Sequence, residues 1–374
     1  MKLNINTETT KKIKFCFIVG ARPNFMKLAP LVKKCKKQKI SFNIIHTGQH
    51  YSEFMSNVFF KSLNLPEPEY NLGICGGDPS QVVGKMMIKL PEIFKKINPE
   101  YIVVFGDISS TVAASITAKY MRYKIIHVEA GARSFNWDMP EEINRVITDR
   151  ISDMRFVAEK AAIKNLEADG LKKNNYYVGN IMINNLIDLM PKIDKIKIHK
   201  IIPNIKKDYA VVTIHRNVNV DQPQKLKQVI KILKNVSKQI QIIFPIHPRT
   251  KNNLIKYDLI NILESNKNII MIEPLDYLIF IALIKNSKFV MTDSGGIQAE
   301  TTYLKIPTIT LRKETEWNET ITIGSNVLCN LSEKEEILEQ IQQILLGKFK
   351  KSKIPKYWND KVAKRILLDI LKNE

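Results

Sequence analysis

The chain has 374 residues, 44% of them hydrophobic and 25% charged, which suits two folded α/β-sized domains and excludes a disordered or fibrous protein. No apolar run reaches the ~18 residues needed to cross a bilayer, so no membrane span is expected. The formal net charge of +21 comes from lysines spread along polar helix faces, as in KKCKKQK and LKQVIKILKNVSKQ. Arginine is sparse, which argues against a nucleic-acid surface and for attraction of small polyanions.

In chain order, short apolar, often β-branched runs alternate with longer helical patterns. Ile13 to Val19 reads as a buried strand, with a helix from about Pro23 to Lys37. Ser41 to His46 is the next strand, followed by a helix from about Ser52 to Leu63. After the loop NLGICGGDPS a helix runs through VVGKMMIKLPEIFKKI into the strand Tyr101 to Phe105. Helices after Thr111 and Pro140 flank the strands Lys124 to Val128 and Met154 to Ala158. Beyond the lysine-rich stretch Lys192 to Asp208 a second series begins, with strands at Tyr209–Ile214, Ile240–Ile246, Asn268–Ile272, Lys288–Met291 and Pro307–Leu311. The runs are continuous rather than alternating, as strands covered on both faces must be. The expected fold class is α/β, with two Rossmann-like, doubly wound domains facing a cleft. From the residues alone the last helix, about Trp358 to Lys372, fits either domain.

Ligands in open α/β sheets bind beyond the carboxyl ends of the strands, so the polar residues there are the candidates. GARPNFMK follows the first strand and sets Arg22 and Lys27 around a helix start, a place suited to an anion; two solvated cations on a turn are the alternative. Asp107 follows the strand YIVVFG, Glu129 follows KIIHV, and Glu141 opens a helix in MPEEINR, with Glu142 beside it. One such carboxylate is usually a helix cap. Three aimed at one cleft suit proton removal and return, because like charges raise one another's pKa.

In the second series VVTIHRN places His215 and Arg216 at a strand end, and FPIHPRT places His247 and Arg249 at the next, where a structural or peripheral role is expected for the second pair. TDSGGIQAE turns from a strand into a helix through two glycines. Ser294, Gly295 and Gly296 leave room for a phosphate on the unpaired helix N–H groups, and Glu300 stands one turn on, where a carboxylate can take both ribose hydroxyls. A buried Ser-Gly turn with an ordinary cap is the alternative. Cys16, Cys35, Cys75 and Cys329 form no CxxC pair, so neither a disulfide framework nor a zinc site is expected. The GxGxxG dinucleotide fingerprint, the Walker loop, HExxH and GxSxG are missing, so NAD is not suggested. The polar N-terminus carries no signal-peptide core, and a cytoplasmic enzyme is the expectation.

Taken together, GARPNFMKLAP, HTGQHY, GDISST, HVEAGARS, MPEEINR, VTIHRN, FPIHPRT, EPLDYL and DSGGIQAE, in this order from Lys14 to about Asn330, resemble the non-hydrolysing UDP-N-acetylglucosamine 2-epimerases. The resemblance implies a GT-B-like fold. Residues 1–185 would form the N-terminal domain, completed by a returning helix at 357–374, and residues 186–356 the UDP-binding domain. It implies reversible inversion at C2 of UDP-N-acetylglucosamine, by loss and re-addition of UDP through a 2-acetamidoglucal, with no metal or other cofactor. The product, UDP-N-acetylmannosamine, would supply cell-surface polysaccharide, and the family is commonly a homodimer. By the same likeness Asp107, Glu129 and Glu141 match acid/base carboxylates, and His215 a histidine near the diphosphate. Arg22 and Lys27 match cationic substrate contacts, Ser294, Gly295 and Gly296 the phosphate seat, Glu300 the ribose carboxylate and Phe280 an aromatic beside the uracil.

The resemblance further implies that bacterial members bind a second UDP-N-acetylglucosamine as an activator, in a pocket that uses the TGQH segment. Gln49, His50, Arg216 and His247 match parts of it, whereas positions near Ser52 and Ser80 do not. The chain further departs from the family in TEWN, where many members read TERP, so that Trp317 replaces an arginine that meets the ligand and could instead stack on a ring. Epimerases of UDP-2,3-diacetamido uronic acids are the nearest alternative, and a hydrolysing epimerase releasing N-acetylmannosamine and UDP is another.

Overall fold

The structure is a computed structural model that describes residues 14–48, 60 and 63–373. It divides into two compact units, Met1–Ile181 with Lys361–Glu374, and Met182–Asp360.

The first unit is built on a seven-stranded sheet. Its strands are β1 (Lys14–Val19), β2 (Ser41–His46), β3 (Tyr70–Asn71), β4 (Tyr101–Phe105), β5 (Lys124–Val128), β6 (Met154–Val157) and β7 (Asn175–Tyr177), in the order β3-β2-β1-β4-β5-β6-β7. Every pairing is parallel. The reason β1 is apolar from Phe15 onward is visible in where its side chains go. Phe15, Phe17 and Val19 enter one core cluster, and Cys16 and Ile18 enter another on the opposite face, because successive residues of a strand point to opposite sides. The helix Pro79–Ile97 covers the second face with Val82, Met86, Leu90, Phe94 and Ile97. These residues recur every three or four positions, the spacing of one helical face.

The first face is covered by the helices Arg22–Gln38 and Val362–Lys372. The second of these buries Val362, Ala363, Ile366, Leu367 and Ile370, and Arg365 Nε donates to the Val178 carbonyl at 2.8 Å. The last helix is therefore part of the first unit.

The second unit carries a six-stranded parallel sheet of β8 (Tyr209–Thr213), β9 (Gln241–Pro245), β10 (Ile269–Ile272), β11 (Phe289–Thr292), β12 (Thr308–Thr310) and β13 (Asn326–Leu328), ordered β10-β9-β8-β11-β12-β13. Ala210, Val212, Phe244, Phe289, Met291 and Ile309 lie in one core cluster. Strands β3, β7 and β13 are two or three residues long and lie at sheet edges. Pieces that short carry no apolar run, and the sequence reading passes over them. The helix expected from Ser52 to Leu63 lies largely outside the described residues. No helix among the described residues is long and apolar enough to cross a membrane.

In both sheets the strand order reverses direction at one place, between β1 and β4 in the first and between β8 and β11 in the second. At such a switch the connections leave to opposite sides, and a crevice opens beyond the strand ends.

Candidate active site

The segments after β1 and β4 meet at the first switch point. The Asn24 Oδ1 accepts from the N–H groups of Gly20 and Ala21, and its Nδ2 donates to the Phe105 carbonyl at 3.3 Å. This ties the turn after β1 to the end of β4. Three residues further along the helix, Lys27 reaches back so that Nζ lies 2.5 Å from Glu129 Oε1. Both side chains are nearly closed off, 7% exposed for Lys27 and 10% for Glu129. Gly106 lies between them with φ +60°, and a Cβ there would stand 2.8 Å from Lys27 Nζ and 3.3 Å from Glu129 Oε1. Only glycine fits.

Glu129 itself has φ +73°, an unfavourable conformation for a residue with a side chain. Its second oxygen, Oε2, is buried with no hydrogen-bond partner among the described residues. Burial pushes its carboxyl above the ordinary range; Lys27 offsets this in part, and Asp107 pushes in the same direction as burial.

Asp107 is held from the helix Pro140–Ile151. Arg145 places one guanidinium nitrogen 2.5 Å from Asp107 Oδ2 and another 2.7 Å from Glu142 Oε2, and Asn144 Nδ2 donates to the Asp107 carbonyl at 2.7 Å. The Asp107 side chain is 25% exposed, against 3% for Arg145, so the carboxylate is fixed yet reachable. Glu142 accepts from the N–H groups of Ser134 and Phe135 and from the Ser134 hydroxyl. Burial opposes its ionisation, but the bonds from Ser134, Arg145 and Phe135 win and hold its carboxyl below the ordinary range. Glu142 is thus a structural clamp on the loop before the helix. Glu141, its neighbour at the helix start, stands exposed.

At the second switch point, Asp293 follows β11 and is fully buried. It accepts from the backbone N–H groups of His215 and Arg216, and from Asn219 Nδ2 at 3.0 Å. His215 Nδ1 lies 3.3 Å from Asp293 Oδ1, and the ring stacks on His247 at 5.2 Å. His247 caps its own helix, accepting from the Arg249 N–H at 3.1 Å. Its imidazole is pushed down by burial and then by His215 and Arg249. Arg249 in turn pairs with Asp221.

Ser294 sits at the N-cap of the helix Gly295–Leu304, and its hydroxyl makes no cap bond. Ser294, Gly295 and Gly296 are only half-buried, so the first-turn N–H groups are open to an anion. Gly295 is pressed against the Arg312–Glu316 ion pair, where a Cβ would meet Glu316 Oε1 at 2.5 Å. One turn into the helix Glu300 is 4% exposed and accepts from the Tyr277 hydroxyl at 2.9 Å. Phe280, on the helix Tyr277–Lys285, is half-buried.

Of the sequence candidates, the structure brings Lys27, Asp107 and Glu129 together in the first unit. In the second it gathers His215, Arg216 and His247 around Asp293, with Ser294 next in the chain. Arg22 opens its helix, but its side chain lies outside the described residues, as do Gln49 and His50. Trp317 offers no open ring. It is 5% exposed and packs edge-on against Trp358 at 6.4 Å. Sequence reasoning missed Arg145, Asp293 and Tyr277. The signals were present, an arginine one turn after Glu141, an acid directly before the Ser-Gly-Gly turn and a tyrosine in EPLDYL, but none shows its partner in the sequence.

Two doubly wound parallel sheets, one with Lys27, Asp107 and Glu129 gathered beyond its strand ends and the other with a half-buried, glycine-lined helix start, define a GT-B-like α/β protein. The family model described as UDP-N-acetylglucosamine 2-epimerase matches residues 33–372, and the chain belongs to that family. It is 40% identical over 361 residues to the UDP-N-acetylglucosamine 2-epimerase of Methanocaldococcus jannaschii, covering 95% of this chain and 98% of that one. The crystal structure of that organism's UDP-GlcNAc 2-epimerase in complex with UDP-GlcNAc and UDP superposes with a TM-score of 0.89 at 39% identity, covering 97% of this chain and all of the other. The UDP-2,3-diacetamido-2,3-dideoxy-D-glucuronate 2-epimerase of Pseudomonas aeruginosa is 34% identical over 341 residues, 90% of this chain and 93% of its own.

Proposed function

We propose that this protein interconverts UDP-N-acetylglucosamine and UDP-N-acetylmannosamine without hydrolysis. The observation that carries the reading is Glu129, a nearly closed-off carboxylate with one oxygen on Lys27 and the other without a hydrogen-bond partner among the described residues. A carboxyl held above its ordinary range by burial is suited to take or return a proton. Asp107, within Coulombic reach of it, and the exposed Glu141 supply further acid/base groups, as inversion needs both faces of C2 served. In this reading a base removes the C2 hydrogen, the C1–O bond to UDP breaks, and a 2-acetamidoglucal forms. UDP then adds back to C1 while an acid returns a proton to the opposite face of C2.

The leaving diphosphate is stabilised by the N–H groups of Ser294 to Gly296 and by cations, among which we count Arg22, Lys27 and, when protonated, His215. Glu300, steadied by Tyr277, takes the ribose hydroxyls, and Phe280 lies beside the uracil. On the family likeness, the enzyme works as a cytoplasmic homodimer that feeds cell-surface polysaccharide synthesis.

A second reading, 2-epimerisation of a UDP-2,3-diacetamido uronic acid, is favoured by the likeness to the Pseudomonas enzyme. Incubation with each UDP-sugar in deuterated water decides. Deuterium at C2 of intact UDP-N-acetylglucosamine and UDP-N-acetylmannosamine is the expected result. Exchange only in the uronic acid substrate supports the second reading. Release of free N-acetylmannosamine, or no exchange with either sugar, overturns the proposal.

A further inference from the structure

The restraint on Asp107 continues inward to a histidine in the middle of the sheet. His127 is the fourth residue of β5, paired in register with Val104, and is fully buried. Its Nε2 lies 2.8 Å from the Gly106 carbonyl oxygen and its Nδ1 2.7 Å from Asp149 Oδ1. Each ring nitrogen thus faces an oxygen of its own, and a ring held at both ends cannot turn. Burial works against ionisation of Asp149, yet His127 and then Arg133 hold its carboxyl below the ordinary range. Asp149 Oδ2 also accepts from the Gly131 N–H at 3.0 Å, and Arg133 lies 2.7 Å from it.

Between Ile125, Ile126 and Val128, all buried, an apolar side chain would avoid the desolvation that this ring incurs. What the ring gains is a grip on one peptide. The Gly106 carbonyl belongs to the peptide that begins Asp107, and Gly106 is the residue against which Lys27 and Glu129 pack. The helix that carries Asp149 also carries Asn144 and Arg145, which hold the Asp107 carbonyl and carboxylate. Three bonds from two elements therefore converge on one turn.

We propose that His127 is a positioning residue for epimerisation: locked between Asp149 and the Gly106 carbonyl, it sets the plane of the Gly106–Asp107 peptide and so the placement of Asp107 and Glu129. The inference rests on the acid/base reading of those two carboxylates.

Two isosteres separate positioning from simple support of the fold. The amide nitrogen of Asn mimics Nδ1 and keeps the bond to Asp149, whereas that of Gln mimics Nε2 and keeps the bond to Gly106. Misplacement of a reacting group by ~1 Å costs ~100-fold in rate, so His127→Asn should lower kcat by about that factor, with KM for UDP-N-acetylglucosamine and Kd for UDP within about 2-fold. His127→Gln should rescue kcat to within about 5-fold of the native enzyme, even though both variants melt at lower temperature. Equal losses of kcat in the two variants, or no loss in His127→Asn, overturn the proposal.

Asn144→Ala releases the same turn without touching the buried ion pairs, and covers the case in which His127→Asn does not fold. There kcat should fall about 10-fold at unchanged KM, and an unchanged kcat again overturns it. Asp107→Asn and Glu129→Gln serve as controls. If both retain full turnover, the acid/base reading fails and takes the positioning role with it; if they lose turnover and His127→Asn does not, only the positioning role falls.

Discussion

Lys27 Nζ and Glu129 Oε1 stand 2.5 Å apart although 102 residues separate them in the chain. One reaches in from the helix after β1 and the other from just beyond β5, across the glycine that follows β4. The contact exists because parallel strands deliver their following residues to one edge of the sheet, and because Gly106 has no side chain to occupy the space.

Lys27→Met removes the cation that partly counters the burial of Glu129. The Glu129 carboxyl, already above its ordinary range, should rise further, and the acidic limb of the kcat/KM profile for epimerisation should move to higher pH. Linkage gives the same sign for stability. A carboxyl raised in the folded state contributes stability below its unfolded pKa of roughly 4.3, and that contribution is lost as pH rises through the folded value. Melting curves between mildly acidic and neutral pH should therefore fall more steeply in Lys27→Met than in the native protein. An unmoved acidic limb would show that Glu129 does not control the rate.

Asp107→Asn keeps the shape of the side chain and removes its charge. General acid/base groups contribute about 10²- to 10⁴-fold, so kcat for epimerisation should drop by that order while UDP affinity, measured by calorimetry, stays within about 2-fold. Loss of UDP affinity in step with kcat would instead mark Asp107 as a group that organises the fold.

Gly295→Ala and Gly296→Ala, neighbours in the sequence, should part company. A Cβ on Gly295 runs into Glu316, whereas one on Gly296 meets only Met182 at 3.8 Å. Overpacking typically costs about 1–3 kcal/mol, so Gly295→Ala should lower the melting temperature. Gly296→Ala should melt at or above the native temperature, as alanine favours a helix by up to about 1 kcal/mol over glycine. Yet it should bind UDP at least about 10-fold more weakly, on the order of the 1.4 kcal/mol that one such factor represents. Unchanged UDP binding in Gly296→Ala would remove the diphosphate from this helix start.

Glu300→Gln should weaken UDP binding by roughly 10-fold or more, since hydrogen bonds to a charged group are worth about 1.5–3 kcal/mol. The decisive comparison is with 2′-deoxy-UDP. If Glu300 takes the ribose hydroxyls, the native protein prefers UDP and the variant loses most of that preference. Tyr277→Phe, which removes the hydroxyl that steadies Glu300, should show the same trend more weakly. A preference retained in full by Glu300→Gln would refute the ribose assignment.

By itself the sequence determined the α/β class. Apolar runs such as KFCFIV and YIVVF are legible because a parallel strand buries both faces, and the two core clusters on either side of β1 show that burial directly. It also made the residues at strand ends stand out: Asp107, His215 and Ser294 lie just beyond strands that flank the switch points, and Glu129 lies just beyond β5, next to β4. What it did not determine was which strands lie side by side, since a strand order such as β3-β2-β1-β4 is set by crossover connections that leave no local pattern. For that reason Arg145 was invisible as the partner of Asp107, Asp293 as the anchor of His215, and His127 as a tie to Gly106. Only the tertiary structure decided that Trp317 packs on Trp358 and that Glu142 clamps a loop while Glu141 faces outward. Burial and hydrogen-bond partners come from contacts between distant segments, and side chains of one type become chemically distinct only once those contacts form.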